Sequence, residues 1–112
     1  MSKRRVVITV LGILSPVGND VVTAWSNILA GKSGIGPITR FDATDLETTI
    51  AGEVRDFDPL EYMDRKEVRR SDRFVHFAVA AAGQALESAR LESTPELAPR
   101  TGVARGSGIG GV

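Results

Sequence analysis

Five consecutive β-branched residues constrain this chain more than any other feature. Val6, Val7, Ile8, Thr9 and Val10 lie inside a nearly all-apolar segment, Arg5 to about Leu14. Branching at Cβ restricts χ1 and favours pleated backbone over helix. A run apolar on both faces predicts a strand covered from both sides, as in the central sheet of an α/β protein. Lys3, Arg4 and Arg5 ahead of it also imitate the start of a secretory leader. The β-branching, and the break at Ser15-Pro16-Val17-Gly18, favour the strand. Without a leader the expected location is cytoplasmic. No run reaches the ~18 apolar residues that a membrane-spanning helix needs, so no membrane span is expected.

After the loop, Asn19 or Asp20 is placed to cap a helix. Val21, Trp25, Ile28 and Leu29 form its apolar stripe, and Gly31 stands where a glycine ends it. Gly34-Ile35-Gly36-Pro37 is turn-rich, and Ile50 to Val54 reads as a short strand weakened by Gly52. From Asp42 to Asp64 eight acids face one base, Arg55. That stretch reads as a solvated surface excursion. Asp56 and Asp58 make no calcium loop, because the turn glycine is missing and Pro59 intrudes. Asp58-Pro59 is a cap followed by a first-turn proline, opening a short helix through Met63. Asp64-Arg65-Lys66-Glu67 has capping-box spacing. Asp72 is placed to cap a further helix running to about Leu91. Phe74, Ala78, Ala81, Ala82, Ala85 and Ala89 share one face of it, and Val75, Val79 and Leu86 widen that face. Between Phe74 and Ala82 only His76 is polar, which predicts burial nearly all round. The small residues would let another backbone approach closely. Thr101 to Ala104 reads as a strand entering the loop Gly106-Ser107-Gly108-Ile109-Gly110-Gly111. Strands alternating with helices predict an α/β fold. A chain that stops on a glycine loop straight after a strand reads as the front part of something larger.

Fourteen basic residues balance fourteen acidic ones, so the formal net charge is zero. Binding nucleic acid through bulk charge needs a basic excess, and no nucleic-acid partner is expected. The chain holds no cysteine and one histidine. Disulfides, thiolate metal sites and a cysteine nucleophile are excluded within it, and neither a transition-metal centre nor a nucleophile–histidine–acid triad can be assembled. Gly106, Gly108 and Gly111 fit G-x-G-x-x-G, a pattern that lets a pyrophosphate approach a helix N-terminus. A nucleotide site also needs a following helix and an acid about 20 residues on. A structural or substrate-lining glycine turn is the simpler reading. Ser107 fails as a nucleophile elbow, because Arg105 and Ile109 stand where glycines belong. His76, four residues after Asp72, could pair with it on a helix; a packed, locally hydrogen-bonded histidine is the plainer alternative. Lys66, Arg69, Arg70 and Arg73 fall at spacings that share one helix face. Such a face either steers an acidic partner or is a solvated surface balanced by Asp64, Glu67 and Asp72.

Taken in order, several segments resemble one family. Arg4-Arg5-Val6-Val7-Ile8-Thr9 followed by Leu11-Gly12-Ile13-Leu14-Ser15-Pro16-Val17-Gly18-Asn19 is similar to the opening of the elongating β-ketoacyl-acyl-carrier-protein synthases, of the synthase II type. Trp25, Leu29-Ala30-Gly31-Lys32-Ser33-Gly34-Ile35, Arg40-Phe41-Asp42, Asp64-Arg65-Lys66-Glu67 with Arg69-Arg70, and Gly106-Ser107-Gly108-Ile109-Gly110-Gly111 continue the likeness in register. It covers essentially the whole chain and roughly the first quarter of a typical family member. The resemblance implies an incomplete N-terminal part of a thiolase-like fold, whose full form stacks two related α/β halves in five layers, usually as a homodimer. It implies decarboxylative Claisen condensation of an acyl thioester with malonyl thioester carried on acyl carrier protein, in fatty-acid elongation, with no cofactor. The family's nucleophilic cysteine and two histidines lie beyond this chain, and His76 matches neither, so the chain alone is expected to be inactive. By position, Lys66, Arg69 and Arg70 match the basic face presented to acyl carrier protein, with Arg73 an inferred neighbour. Gly108 and Ile109 match the glycine loop that borders the acyl pocket.

Two alternatives accompany that reading, a non-catalytic carrier-protein docking module and a nucleotide-binding oxidoreductase fragment. Two positions also depart from the family pattern. Val10 replaces a glycine and Arg105 replaces an apolar strand residue, and both would disturb the family's core packing.

Overall fold

A computed structural model describes residues 2–111. Its first helix, α1 (Val21–Leu29), forms where the sequence signals it. Asp20 Oδ1 accepts from the Thr23 amide at 2.8 Å, and Oδ2 accepts from the Thr23 hydroxyl at 2.7 Å. Gly31 ends the helix at φ 69°. Its amide donates to the Ile28 carbonyl and the Lys32 amide donates to Asn27, both at 3.0 Å. This paired closure needs a residue that tolerates left-handed backbone. Asn19 is not the cap; its Nδ2 donates to the Arg55 carbonyl at 2.6 Å.

Strands β1 (Ile35–Pro37) and β2 (Ile50–Gly52) pair antiparallel, with Ile35 opposite Gly52 and Pro37 opposite Ile50. Gly52 has a positive role here. A Cβ there would stand 2.9 Å from the Pro16 ring, so glycine lets the Ser15–Gly18 loop lie on the hairpin. Asp58 caps a single 3₁₀ turn, Pro59–Glu61, which is shorter than the helix expected through Met63. Helix α2 (Arg65–Arg70) starts at Asp64, whose Oδ1 accepts from the Lys66 and Glu67 amides at 2.8 and 2.9 Å. The backbone then breaks at Ser71, with ψ 151°, before α3 (Arg73–Ala89). Asp72 occupies the cap position of α3 but makes no side-chain cap bond.

The strand expected from Arg5 to Leu14 does not form, and Val6 is 91% exposed. A ladder needs a neighbour for its amides and carbonyls. The two three-residue strands of the sheet are engaged with each other. The Leu11–Ile13 stretch is held by α3 instead. The Ile13 amide donates to Gln84 Oε1 at 3.1 Å. Gly12 lies so close to the Ala81 and Ala85 backbones that a Cβ would run into the Ala81 carbonyl. The small residues of α3 do admit a second backbone. Thr101 to Ala104 forms no strand either, and Val103 is 86% exposed.

Helix α3 is not buried all round. Only His76 and Ala80 on it are buried, and Leu86 is half exposed. On α1 the buried residue is Ala24, while Trp25, Ile28 and Leu29 face outward. The radius of gyration is 17.4 Å. A compact chain of similar length would have about 13 Å. The accessible surface is 9510 Å². A compact monomer of this mass would expose about 6,000 Å². Among the described residues the buried apolar ones are alanines, at positions 24, 43 and 80, and no large side chain is fully buried. Val10 is half-buried and Arg105 is exposed, so neither substitution disturbs a packed core in this arrangement.

The acidic stretch is not merely solvated. Glu53 is buried. Its carboxylate accepts from the Thr39 amide at 3.1 Å, the Thr39 hydroxyl at 2.8 Å and the Arg40 amide at 3.3 Å. Asp42, Asp58 and Asp64 likewise accept from backbone amides just ahead of them.

Candidate functional site

Helix α2 displays Lys66, Arg69 and Arg70, all exposed. Spacings of three and four residues place them on one side of a helix. Arg69 and Arg70 fall in the last turn, where cations complement the helix dipole. The nearby Asp64 carboxylate is turned to its own backbone, accepting from two amides. Helix α3 reaches back to the C-terminal end of α2. There His76, buried, reaches the Val68 carbonyl from Nε2 at 3.2 Å. A carbonyl only accepts, so Nε2 carries the proton in this contact. This is the packed, locally bonded histidine; the pairing with Asp72 is not made.

Arg73 leaves the basic face. The break at Ser71 starts a new helix, and Arg73 turns inward over Phe77 and Phe57, its guanidinium carbon 5.0 and 5.9 Å from the ring centroids. Its Nη2 donates weakly to the Val54 carbonyl at 3.4 Å. Its Nε is buried without a hydrogen-bond partner. Burial first, and then the neighbouring charge of Arg40, pull the guanidinium below its ordinary pKa. Stacking on aromatic faces offsets part of that desolvation. Phe57 and Phe77 sit 5.3 Å apart, which makes the rings and the guanidinium one cluster.

An open groove of about 390 Å³ runs beside the basic helix, lined by Met63, Glu67, Arg70, Ser71, Val75 and Val79. Gly108 and Ile109 are not brought to it. Ile109 is 81% exposed, and a Cβ at Gly108 would meet nothing within 4 Å. The end of the glycine loop instead returns to the start of α3, where a Cβ on Gly110 would stand 2.5 Å from the Phe74 ring. Among the described residues no group of three or more acids, histidines or cysteines is placed to hold a metal. Among the described residues no helix is long and apolar enough to cross a membrane.

Gln84 and Glu53 are the residues that sequence reasoning missed. Gln84 accepts from Ile13 and donates through Nε2 to the Asn19 carbonyl at 2.6 Å and to the Tyr62 hydroxyl at 3.4 Å. It ties the N-terminal segment, the approach to α1 and the Tyr62 turn to α3. The only hint was a polar residue among alanines on a helix otherwise read as apolar.

Residues 3–112 match the family described as "Beta-ketoacyl synthase, N-terminal domain". The chain belongs to the beta-ketoacyl synthase family. It is 58% identical over 112 residues to the 3-oxoacyl-[acyl-carrier-protein] synthase 2 of Coxiella burnetii (strain RSA 493 / Nine Mile phase I), covering all of this chain and 27% of that protein. The protein of the same name from Vibrio harveyi is 54% identical, with the same coverage. A solved structure, "The ishigamide ketosynthase/chain length factor", superposes with a TM-score of 0.74 at 37% identity. That superposition covers 81% of this chain and 23% of the other. The chain thus spans about a quarter of the length of the ketosynthase relatives it matches. Its helices and small sheet are a partial thiolase-like domain. Membership in the ketosynthase family leaves the dinucleotide reading of Gly106, Gly108 and Gly111 without support.

Proposed function

We propose that these residues form the N-terminal portion of a 3-oxoacyl-acyl-carrier-protein synthase and serve it as scaffold and carrier-protein docking surface. The observation that carries this reading is the exposed trio Lys66, Arg69 and Arg70 on one side of α2. Acyl carrier protein is acidic, and a basic patch speeds encounter and fixes register with such a partner. The whole synthase would transfer an acyl chain to a cysteine as a thioester. Loss of carbon dioxide from the malonyl thioester would then leave a carbanion that attacks it, forming the carbon–carbon bond and expelling the cysteine as its thiolate. This chain has no cysteine, and its one histidine is occupied with Val68, so that chemistry belongs to other residues of the enzyme. Gly108 and Ile109 are assigned to the wall of the acyl pocket by their match to the family's glycine loop. The reading brings with it a cytoplasmic, homodimeric synthase that uses no cofactor.

Titration of the chain with acyl carrier protein tests the docking role. Binding should weaken steeply with added salt, because exposed charges are screened over about 8 Å at physiological ionic strength. Replacing Lys66, Arg69 and Arg70 together by Ala should abolish most of it. Equal binding by the triple variant would remove the trio from the interface. The purified 112-mer should show no malonyl-dependent condensation; measurable turnover would refute the scaffold assignment.

A further inference from the structure

We infer that His76 is a positioning residue for the docking face, holding α2 in the orientation that presents Lys66, Arg69 and Arg70. This rests on the docking role proposed above. Helix α2 has six residues, well short of the ~12–15 that an isolated helix needs to persist in water. Its orientation must therefore come from outside. The N-terminal end is met by Asp64. At the other end the last carbonyls have no partner within the helix. The Glu67 carbonyl is taken by the amide and hydroxyl of Ser71, at 3.1 and 2.7 Å. The Val68 carbonyl is taken by His76 Nε2, from a residue buried on the neighbouring helix.

Residues advance about 100° per position around a helix. Arg69, Lys66 and Arg70 therefore project roughly 100–200° away from the Val68 side chain. His76 holds α2 by its main chain at the C-terminal end, while all three cations stay exposed, Arg70 beside the groove it shares with Val75 and Val79. A rotation or fraying of α2 would move all three charges together. Because α3 carries His76, the contact fixes the basic face to the longest element of the fold.

The test compares His76→Leu and His76→Gln with the wild-type chain. Leucine keeps the apolar bulk and removes the donor, while glutamine restores an N–H of similar reach. Amide exchange in Val68 to Ser71 should quicken about threefold to tenfold in His76→Leu, the range expected for one lost hydrogen bond. Exchange in the centre of α3 should stay unchanged. Affinity for acyl carrier protein should fall by a similar factor, and His76→Gln should recover both. Unchanged α2 exchange in His76→Leu, or equal loosening of α2 and α3, would overturn the proposal. Failure of glutamine to recover α2 protection would do so as well. A wild-type chain that binds no carrier protein would remove the docking role itself. The exchange comparison needs no partner and still decides whether His76 fixes α2.

Discussion

Replacing Gln84 should unfasten the N-terminal segment from the rest of the chain. Its amide group joins the Ile13 amide at 3.1 Å, the Asn19 carbonyl at 2.6 Å and the Tyr62 hydroxyl at 3.4 Å. The last is too long to count for much. Gln84→Leu keeps the volume and leaves two backbone groups without partners. Each such loss costs about 1–3 kcal/mol where water cannot fully replace the partner. The Gln84 site is only partly buried, so water replaces part of what is lost, and the two losses together come to about 1–3 kcal/mol, the range of a single complete one. That is roughly a 5- to 150-fold shift in the unfolding equilibrium. Urea unfolding followed by helix circular dichroism reads it as a lowered midpoint at constant slope.

Gln84→Glu sharpens the test. The introduced carboxylate still accepts from Ile13 but faces the Asn19 carbonyl oxygen with no proton to donate. Protonation supplies that donor, so the folded state raises the pKa of the new group. A raised pKa means its stabilisation is present at low pH and lost as pH rises through the folded value. Gln84→Glu should therefore sit nearer wild type below the ordinary carboxylate range than at pH 7. If Gln84→Leu unfolds within about 0.5 kcal/mol of wild type, the scatter of neutral surface changes, Gln84 is not the tie described here.

Two further predictions concern single contacts. Gly12→Val drives a side chain into the Ala81 carbonyl and should lower stability by about 1–3 kcal/mol, read as a drop in melting temperature. The Glu53 carboxyl is held below the usual range, first by the Thr39 hydroxyl and then by the Thr39 amide. Its stabilisation is then full above the ordinary carboxylate range and disappears as pH falls through the lowered value. Glu53→Gln should flatten the acid limb of the stability–pH curve, and an unaltered limb would refute that link.

What the sequence made legible were features whose partners lie within a few residues. The Asp20 and Asp64 caps and the Gly31 terminator all found their expected amides or backbone angle. Strands fared worse, because pairing is non-local. Val6 to Val10 has the intrinsic preference, yet no neighbour supplies a ladder. The hubs Glu53 and Gln84 were hidden for the same reason. Their partners lie 13–14 and 22–71 residues away, and nothing local marks a polar side chain as a tie. Arg73 is more instructive. Its spacing from Lys66 suggested a shared face, yet placing a cap at Asp72 already implied a break before it. Spacing alone put Lys66, Arg69 and Arg70 on one helix face, and the family motifs supplied only the roles suggested for that face and for the glycine loop.

The Val6 to Val10 stretch, exposed as far as Thr9, has a consequence in concentrated solution. It is β-branched and free of proline and glycine, the pattern that lets copies stack into cross-β fibrils. Lys3, Arg4 and Arg5 directly precede it and act as gatekeepers, since stacked copies would align like charges. At 1 M salt that repulsion reaches only about 3 Å. High ionic strength therefore removes the guard against polymerisation.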